Sequence, residues 1–556
     1  MRWRILANLK SKKPTDRLQE ITKALLKNRG LKTKNQQSGF FNPSKPSTLT
    51  PNDVGISQSQ LKKALKRIKK AIKNKEKIII FGDFDADGIC ATAILWETLF
   101  LKNKNTLPYI PDRMKEGYGL SEKALKTLLS TKPYTLGPKP SLIITVDNGI
   151  TTSKAVEFAR QKNIEVIITD HHEKPKNLPK AHSIIHTTSL SGAGVSWFLS
   201  KTLDLEPKTP SPLELAAIGT IADIMPLLGP NRSIVKFGLE SIKKTKRIGL
   251  MELIQEASLN PQKIGTYEIG FIIAPRLNAM GRMESAFDSL RLLCTKNRHR
   301  AQVLAKKLGQ TNRNRQVLTE ETFLKAKEVF PSSPSSKLVF VHHQDFQQGI
   351  IGLVASRFVE EFYRPSIVIS RGDIYSKASA RSISGFNIIE AIRECQDLLV
   401  DVGGHPMAAG FTVETKHLNT LEQRLQEIAQ KSIDNKLLKK TQRIDCEIFL
   451  SDITWLLHQN LEKFVPFGLN NPTPTFSSKK VEVVDIYPVG SENQHLKLRL
   501  KSNQLPITFN AIYFGAGELA AKISPGNKIN LAYSIESNTW NNEKKLELKI
   551  KDLKIK

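Results

Sequence analysis

The stretch KIIIFGDFDADG, from Lys77 to Gly88, sets an apolar run directly against three carboxylates, Asp83, Asp85 and Asp87. Ile78, Ile79, Ile80 and Phe81 are β-branched or aromatic and favour a buried strand, so the acids sit at its exit. Three like charges at alternating positions in so short a loop repel one another, and a divalent cation is the usual way to offset that cost. The D-x-D-x-D-G pattern also opens an EF-hand loop, but that loop needs a carboxylate at its twelfth position and a preceding helix. Here the twelfth position is Ile94 and the preceding segment reads as a strand. A solvated acidic turn is the plain alternative.

Working outward, Leu61, Leu65, Ile68 and Ile72 recur at three- and four-residue intervals, which predicts a helix over 58–75 before the acidic strand. ICATAILWETLFLK reads as a helix after it. A second apolar run, LIITV at 142–146, ends in Asp147-Asn148-Gly149, and a third, EVIIT at 165–169, ends in Asp170-His171-His172. Strands alternating with helices predict an α/β, doubly wound parallel sheet, in which ligands gather at the carboxyl ends of the strands. The sheet therefore delivers Asp85, Asp87, Asp147, His171 and His172 to one edge. Asp223 lies within the apolar segment LAAIGTIADIMPL, where a lone carboxylate is costly unless paired or bound to metal. It is a candidate to complete the shell, or a buried acid satisfied by backbone amides. Mixed imidazole and carboxylate donors suit Mn²⁺, and also Mg²⁺ or Zn²⁺. With one carboxylate shared, such a set holds two ions about 4 Å apart and favours hydrolysis at phosphorus.

At 556 residues the chain exceeds one ordinary core. Its 84 Lys and Arg against 53 Asp and Glu give a formal charge of +31, which favours a polyanionic partner, nucleic acid first. Cys90, Cys294, Cys395 and Cys446 form no CxxC pair and read as reduced thiols, which argues against zinc. No apolar run has the length of a membrane span, and the basic N-terminus lacks a signal-peptide core, so a cytoplasmic protein with no membrane partner is expected. Residues 1–55 read as an irregular lead-in, 56–285 as the metal-binding domain, 286–336 as a long connecting helix, and 337–435 as a second α/β domain. From 441 to 556 short β patterns predict a small barrel. Tyr487, Tyr513, Phe514, Tyr533 and Trp540 are its candidate stacking residues.

GDFDADG, TVDNG, TDHHE and GTIADIMPL, in this order, resemble the metal-site motifs of the DHH phosphoesterase superfamily. APRLNAMGRM at 274–283, IIGLVASR at 350–357, ASARSISGFNI at 378–388 and GGHPMAAGF at 403–411 are most similar to its bacterial single-strand-specific exonucleases. The resemblance implies a DHH domain, a DHHA1-like domain and a C-terminal OB-fold that binds single strands. It implies metal ligation by Asp85, Asp87, Asp147, His171 and Asp223, with His172 near the attacking water or scissile phosphate. Arg113, Tyr118, Arg276, Asn278, Arg282, Ser379, Arg381 and His405 are then expected to hold phosphates or nucleotides. The implied activity is a 5′ to 3′ exonuclease on single-stranded DNA in recombination and repair, using Mn²⁺ or Mg²⁺. It would act as a monomer, with a helicase or single-strand-binding protein as the partner to expect. The alternative is a phosphoesterase of the same superfamily acting on short oligonucleotides or cyclic dinucleotides. Many members carry a histidine where this chain has Phe81, so one metal lacks a ligand or borrows Asp83. Asn470, in FGLNNPTP, replaces a glycine usual in the exonucleases.

Overall fold

The computed structural model describes residues 1–10, 14–113, 115–204, 211–330, 336–502, 507–540 and 543–555. The chain begins with strand β1 (Arg2–Ala7) and the helix Pro14–Asn28, which belong to the C-terminal barrel described below. The first sheet contains β2 (Ile78–Phe81), β3 (Thr106–Tyr109), β4 (Leu142–Val146), β5 (Glu165–Asp170) and β6 (Ser183–His186). All are parallel, in the order β3-β2-β4-β5-β6. Every residue of β2 and β4 is buried, as a sheet covered on both faces requires. Because side chains alternate, Ile78, Ile80, Leu142 and Ile144 face the helices Gln58–Lys73, Ala86–Phe100 and Gly192–Leu203. Ile79, Phe81, Ile143 and Ile168 face Glu122–Ser130 and Ser153–Gln161. Phe81 thus packs in the core, its ring centroid 5.2 Å from that of Tyr109. The edge strand β3 carries Pro108, whose missing donor is harmless at an edge.

The expected single connecting helix over 286–336 is two helices, Phe287–Cys294 and Arg298–Val329. Asn297 separates them, because its side chain accepts the Arg300 N–H and caps a new helix. Residues 331–335 lie outside the described residues. The second sheet contains β7 (Val339–His343), β8 (Ser366–Ser370), β9 (Tyr375–Arg381), β10 (Leu399–His405) and β11 (Ala408–Glu414), in the order β10-β11-β9-β8-β7. Only β7 and β8 run parallel within it.

The last sheet starts at β12 (Thr441–Glu447). It continues through β13 (Phe476–Val489), β14 (His495–Lys501), β15 (Thr508–Tyr513), β16 (Lys528–Trp540) and β17 (Glu543–Ile555). The order β13-β14-β15-β17-β16, with β16 also pairing β13, closes a five-stranded barrel. The irregular lead-in expected over 1–55 is corrected here: β1 pairs with β12 in parallel, and β12 with β13. The helix Pro14–Asn28 packs Ile21, Leu25 and Leu26 against the barrel core. Those positions repeat at helical spacing, but their partners lie more than 400 residues away in sequence, as in the Arg17–Asp452 ion pair at 2.6 Å.

Barrel and first lobe are tied by Arg232, a fully buried side chain of the helix Gly229–Ile242. Its guanidinium donates to the carbonyls of Phe40, Lys463, Phe464, Val465 and Pro466. Five carbonyl acceptors replace a carboxylate partner, so the charge is solvated by backbone dipoles rather than neutralised. In the FGLNNPTP segment Asn471 donates to the carbonyls of Phe464 and Pro466, and Asn470 sits at φ 61°. Asparagine visits that left-handed region more readily than other non-glycine residues, which accounts for its standing in for a glycine. Of the candidate stacking residues, Tyr533 is core, its hydroxyl 2.8 Å from Ser478 Oγ. Tyr487 and Phe514 are exposed and Tyr513 half-buried, while the Trp540 side chain lies outside the described residues. The four cysteines are free. Among the described residues no helix is long and apolar enough to cross a membrane.

Candidate metal centre and arginine wall

The acids of the first lobe occupy the carboxyl ends of three neighbouring strands, β2, β4 and β5, and the turn after the helix Pro212–Ala222. Asp85 caps the helix Ala86–Phe100, its Oδ1 accepting Gly88 N–H at 2.9 Å. A Cβ on Gly88 would strike the backbone of Asp83, so glycine is needed for this tight entry. Asp87 reaches across to the helix Gly192–Leu203 and accepts from the amides of Gly192 (2.6 Å) and Ala193 (2.9 Å). Asp147 adopts φ 63°, and its buried Oδ1 has no hydrogen-bond donor. His171 Nε2 is 3.0 Å from that oxygen but out of hydrogen-bonding alignment, and 3.9 Å from Asp87 Oδ2. Its Nδ1 is 3.7 Å from Asp223 Oδ2.

Three groupings bring ligand atoms within 4.8 Å of one another: Asp83, Asp85 and Asp147; Asp87, His171 and Asp223; and Asp147, His171 and His172. Desolvation, then the charge of Asp85, pushes the Asp87 carboxyl up to about 7. Burial, then Asp87, raises Asp223 to about 8, while Asp83 and Asp147 also lie well above the usual carboxylate range for want of solvent. Burial and the neighbouring His172 lower His171 to about 4, leaving a neutral imidazole among acids. An orphaned buried carboxylate oxygen, crowded oxygen donors and a neutral imidazole are the donor set of a hard or borderline divalent cation. The residues present fit such ions.

Opposite the acids stand arginines from both lobes. Arg113 lies over the Phe84 ring, 5.1 Å from its centroid, beside Asp83 and Asp85. Arg282, half-buried at the end of the helix Ala274–Met283, donates to the Gly349 carbonyl of the second lobe at 3.3 Å. Desolvation, then the charges of Arg113, Arg315 and Arg381, lowers it to about 10. Arg381 bonds the hydroxyl of Ser379 at 3.1 Å, and both crowd Gly352 at the start of the helix Ile351–Phe362. His405 is exposed on β10 and pairs with Ala408, which pairs with Arg381, so all three lie in one row across the sheet. Tyr118 places its hydroxyl 3.3 Å from His172 Nε2.

Two expected substrate contacts are engaged differently. Arg276 is ion-paired to Glu256 at 2.8 Å through Nε and donates to the Ile272 carbonyl through Nη1, so much of its guanidinium serves helix packing. Asn278 uses its Oδ1 to accept the Ala86 N–H at 2.7 Å, which holds the acidic loop.

Residues 77–220 match the DHH family N-terminal domain, 335–432 the DHHA1 domain and 444–552 the RecJ OB domain. The single-stranded-DNA-specific exonuclease RecJ of Bacillus subtilis (strain 168) is 35% identical over 568 residues, spanning 99% of this chain and 70% of that protein. The chain belongs to the RecJ family. The RecJ of Thermus thermophilus is 32% identical over 89% of this chain and 71% of its own length. The crystal structure of RecJ in complex with Mn²⁺ from that organism superposes with a TM-score of 0.82 at 28% identity, covering 100% of this chain and 79% of the other.

Three contributors to this RecJ-family site are absent from the site residues expected from the sequence. Asp170 accepts from the amides of His171 and His172, from Ile150 N–H and from His172 Nδ1 at 2.8 Å. Burial alone would lower His172, but this bond and the Asp170 charge outweigh it and raise the imidazole to about 9. The amides of Gly192 and Ala193 follow Ser191, whose N-cap character was the available signal. Arg315, on the helix Arg298–Val329, has a buried Nε without a partner and faces Arg282.

The raised carboxyls make a pH prediction. A group whose folded pKa lies above its unfolded value stabilises the fold below the unfolded value and loses that contribution as pH rises through the folded one. With Asp87 near 7 and Asp223 near 8, the metal-free protein should lose stability from about pH 4 to pH 8. His171 acts oppositely between its ordinary value and about 4, one group against several. A divalent cation should therefore raise Tm more at pH 8 than at pH 5, about where the carboxyls change charge. Thermal unfolding in chelator and in added cation checks this; a shift independent of pH would refute it.

Proposed function

We propose that this chain is a metal-dependent exonuclease that hydrolyses single-stranded DNA from its 5′ end, in recombination and repair. The observation that carries it is the close opposition of five carboxylates and His171 to the guanidiniums of Arg113, Arg282, Arg315 and Arg381 across the two lobes. Asp85, Asp87, Asp147, His171 and Asp223, with Asp83 in place of the ligand that Phe81 cannot supply, would hold two Mn²⁺ or Mg²⁺ ions, Asp147 being shared. Such ions, when bound, supply Lewis acidity for an attacking water and a leaving oxygen.

The chain's own residues do the rest. The arginines receive phosphate through planar forks that match its oxygens, and Ser379 adds a hydroxyl. His172, held by Asp170 through Nδ1 and carrying charge at neutral pH, presents an Nε2–H toward the cleft beside Tyr118. That proton is placed to bond a phosphate oxygen, and the Tyr118 ring is placed to meet a base. Asn278 and Gly281 fix the acidic loop, since a Cβ at Gly281 would strike the Phe84 carbonyl.

In this reading residues 56–285 cut, 337–435 hold the terminal phosphates and 441–556 bind the body of the strand. The protein works as a cytoplasmic monomer, alongside a helicase or single-strand-binding protein that presents strands. An end-labelled substrate decides the matter. With Mn²⁺, a 5′ label on a single strand should leave at once as mononucleotide, a 3′ label last, and chelator should stop both. Turnover confined to dinucleotides, or release from the 3′ end first, would overturn the proposal.

A further inference from the structure

The strand pair β1 and β12, the second lobe and the segment 436–440 between them meet in a groove of about 700 Å³. Five of its eleven lining residues are basic, Arg2, Arg4, Lys436, Lys439 and Arg443, and none is acidic. All five are exposed, and among the described residues none has a carboxylate partner. The register of β1 on β12 sets Arg4 directly opposite Arg443 and Arg2 opposite Thr441. Like charges placed opposite on neighbouring strands destabilise a sheet, so this pair carries a folding cost. A polyanion lying along the row would relieve it. Half-buried Trp3 and Tyr363 also line the groove, and basic residues with aromatic faces are the surface that unpaired nucleotides use.

One end of the groove comes near the arginine wall. Its Ser384 lies three residues along the chain from Arg381, a separation of at most about 11 Å. We infer that this groove binds the sugar-phosphate backbone of a single-stranded nucleic acid whose 5′ end occupies the arginine wall, a few nucleotides downstream of the cut. The inference rests on the exonuclease reading. It assigns the N-terminal strand and the segment 436–443, rather than the barrel alone, to holding the strand.

The test is the triple variant Arg4→Ser, Lys439→Ser, Arg443→Ser, compared with the unaltered protein on a 5′-phosphorylated trinucleotide and on a long single strand. KM for the long strand should rise about tenfold at low salt, with the trinucleotide unaffected. The slope of log affinity against log salt should become shallower by about 2, at roughly 0.7 for each phosphate that the variant no longer neutralises. An unchanged KM and slope for the long strand overturn the inference. An equal loss on the trinucleotide also overturns it, by placing these residues at the cut itself. If polyglutamate binding is lost while strand binding is kept, the groove serves an acidic peptide and the inference fails. Should the unaltered protein not shorten the long strand at all, the exonuclease reading is what fails, and filter binding of the uncut strand in chelator still reads the groove.

Discussion

Asp147→Ala should lower kcat/KM on single-stranded DNA by about 10⁴ while leaving the affinity for the strand in chelator within about twofold. The expectation follows from position rather than from charge alone. Asp147 belongs both to the grouping with Asp83 and Asp85 and to that with His171 and His172, so its removal opens two of the three groupings of donors. None of the four arginines touches it, which is why strand affinity should persist. Its carboxyl is held well above the usual range by burial and by Asp87, so alanine also removes a repulsive charge. The metal-free variant should therefore melt at a higher temperature than the metal-free parent, and the stabilisation by added cation should vanish. Cleavage assays paired with melting curves read both effects. Full activity in the variant would remove Asp147 as a shared ligand.

The acidic centre was legible because a parallel sheet converts sequence order into spatial adjacency: apolar runs ending in acids must place those acids along one edge. The two edge strands were not, since TLPY carries a proline and SIIH is short, and neither shows the long apolar run of a central strand. Backbone donors leave no letter of their own, so the amides of Gly192 and Ala193 that hold Asp87 were signalled only by the N-cap character of Ser191. Arginine is ambiguous for another reason. Arg276 and Arg282 stand six residues apart in one motif, yet one meets Glu256 and the other three guanidiniums, and only packing decides between them. Arg315 was hidden in the same way among the polar residues of a long helix. The N-terminal strand failed as a prediction because its partner lies near residue 441, and strand pairing across such separations has no local signature.

Arg282→Met should cut kcat/KM by about 100-fold and at the same time raise the melting temperature of the substrate-free protein. The two effects share one cause. Arg282 is pressed against Arg113, Arg315 and Arg381, and its lowered value of about 10 records desolvation first and that like-charge crowding second. It has one carbonyl acceptor, Gly349, at 3.3 Å, and no carboxylate partner among the described residues. The Asp85 charge offsets this crowding only in part and without an ion pair, and replacing such a partly buried charge with an apolar side chain of similar length is neutral or stabilising by roughly 1 kcal/mol or more. In the complex the balance reverses, because a phosphate supplies the missing counter-charge and each charge-assisted bond removed costs about 1.5–3 kcal/mol. The loss should fall mainly on KM, and high salt, which screens the repulsion, should shrink the difference in melting temperature. Arg276→Met is the internal contrast: it strands Glu256 beside the single cation Arg313, so it should lower the melting temperature. If Arg282→Met destabilised the protein and left KM unchanged, the wall would be a packing feature, and the arginines would have no claim on the substrate.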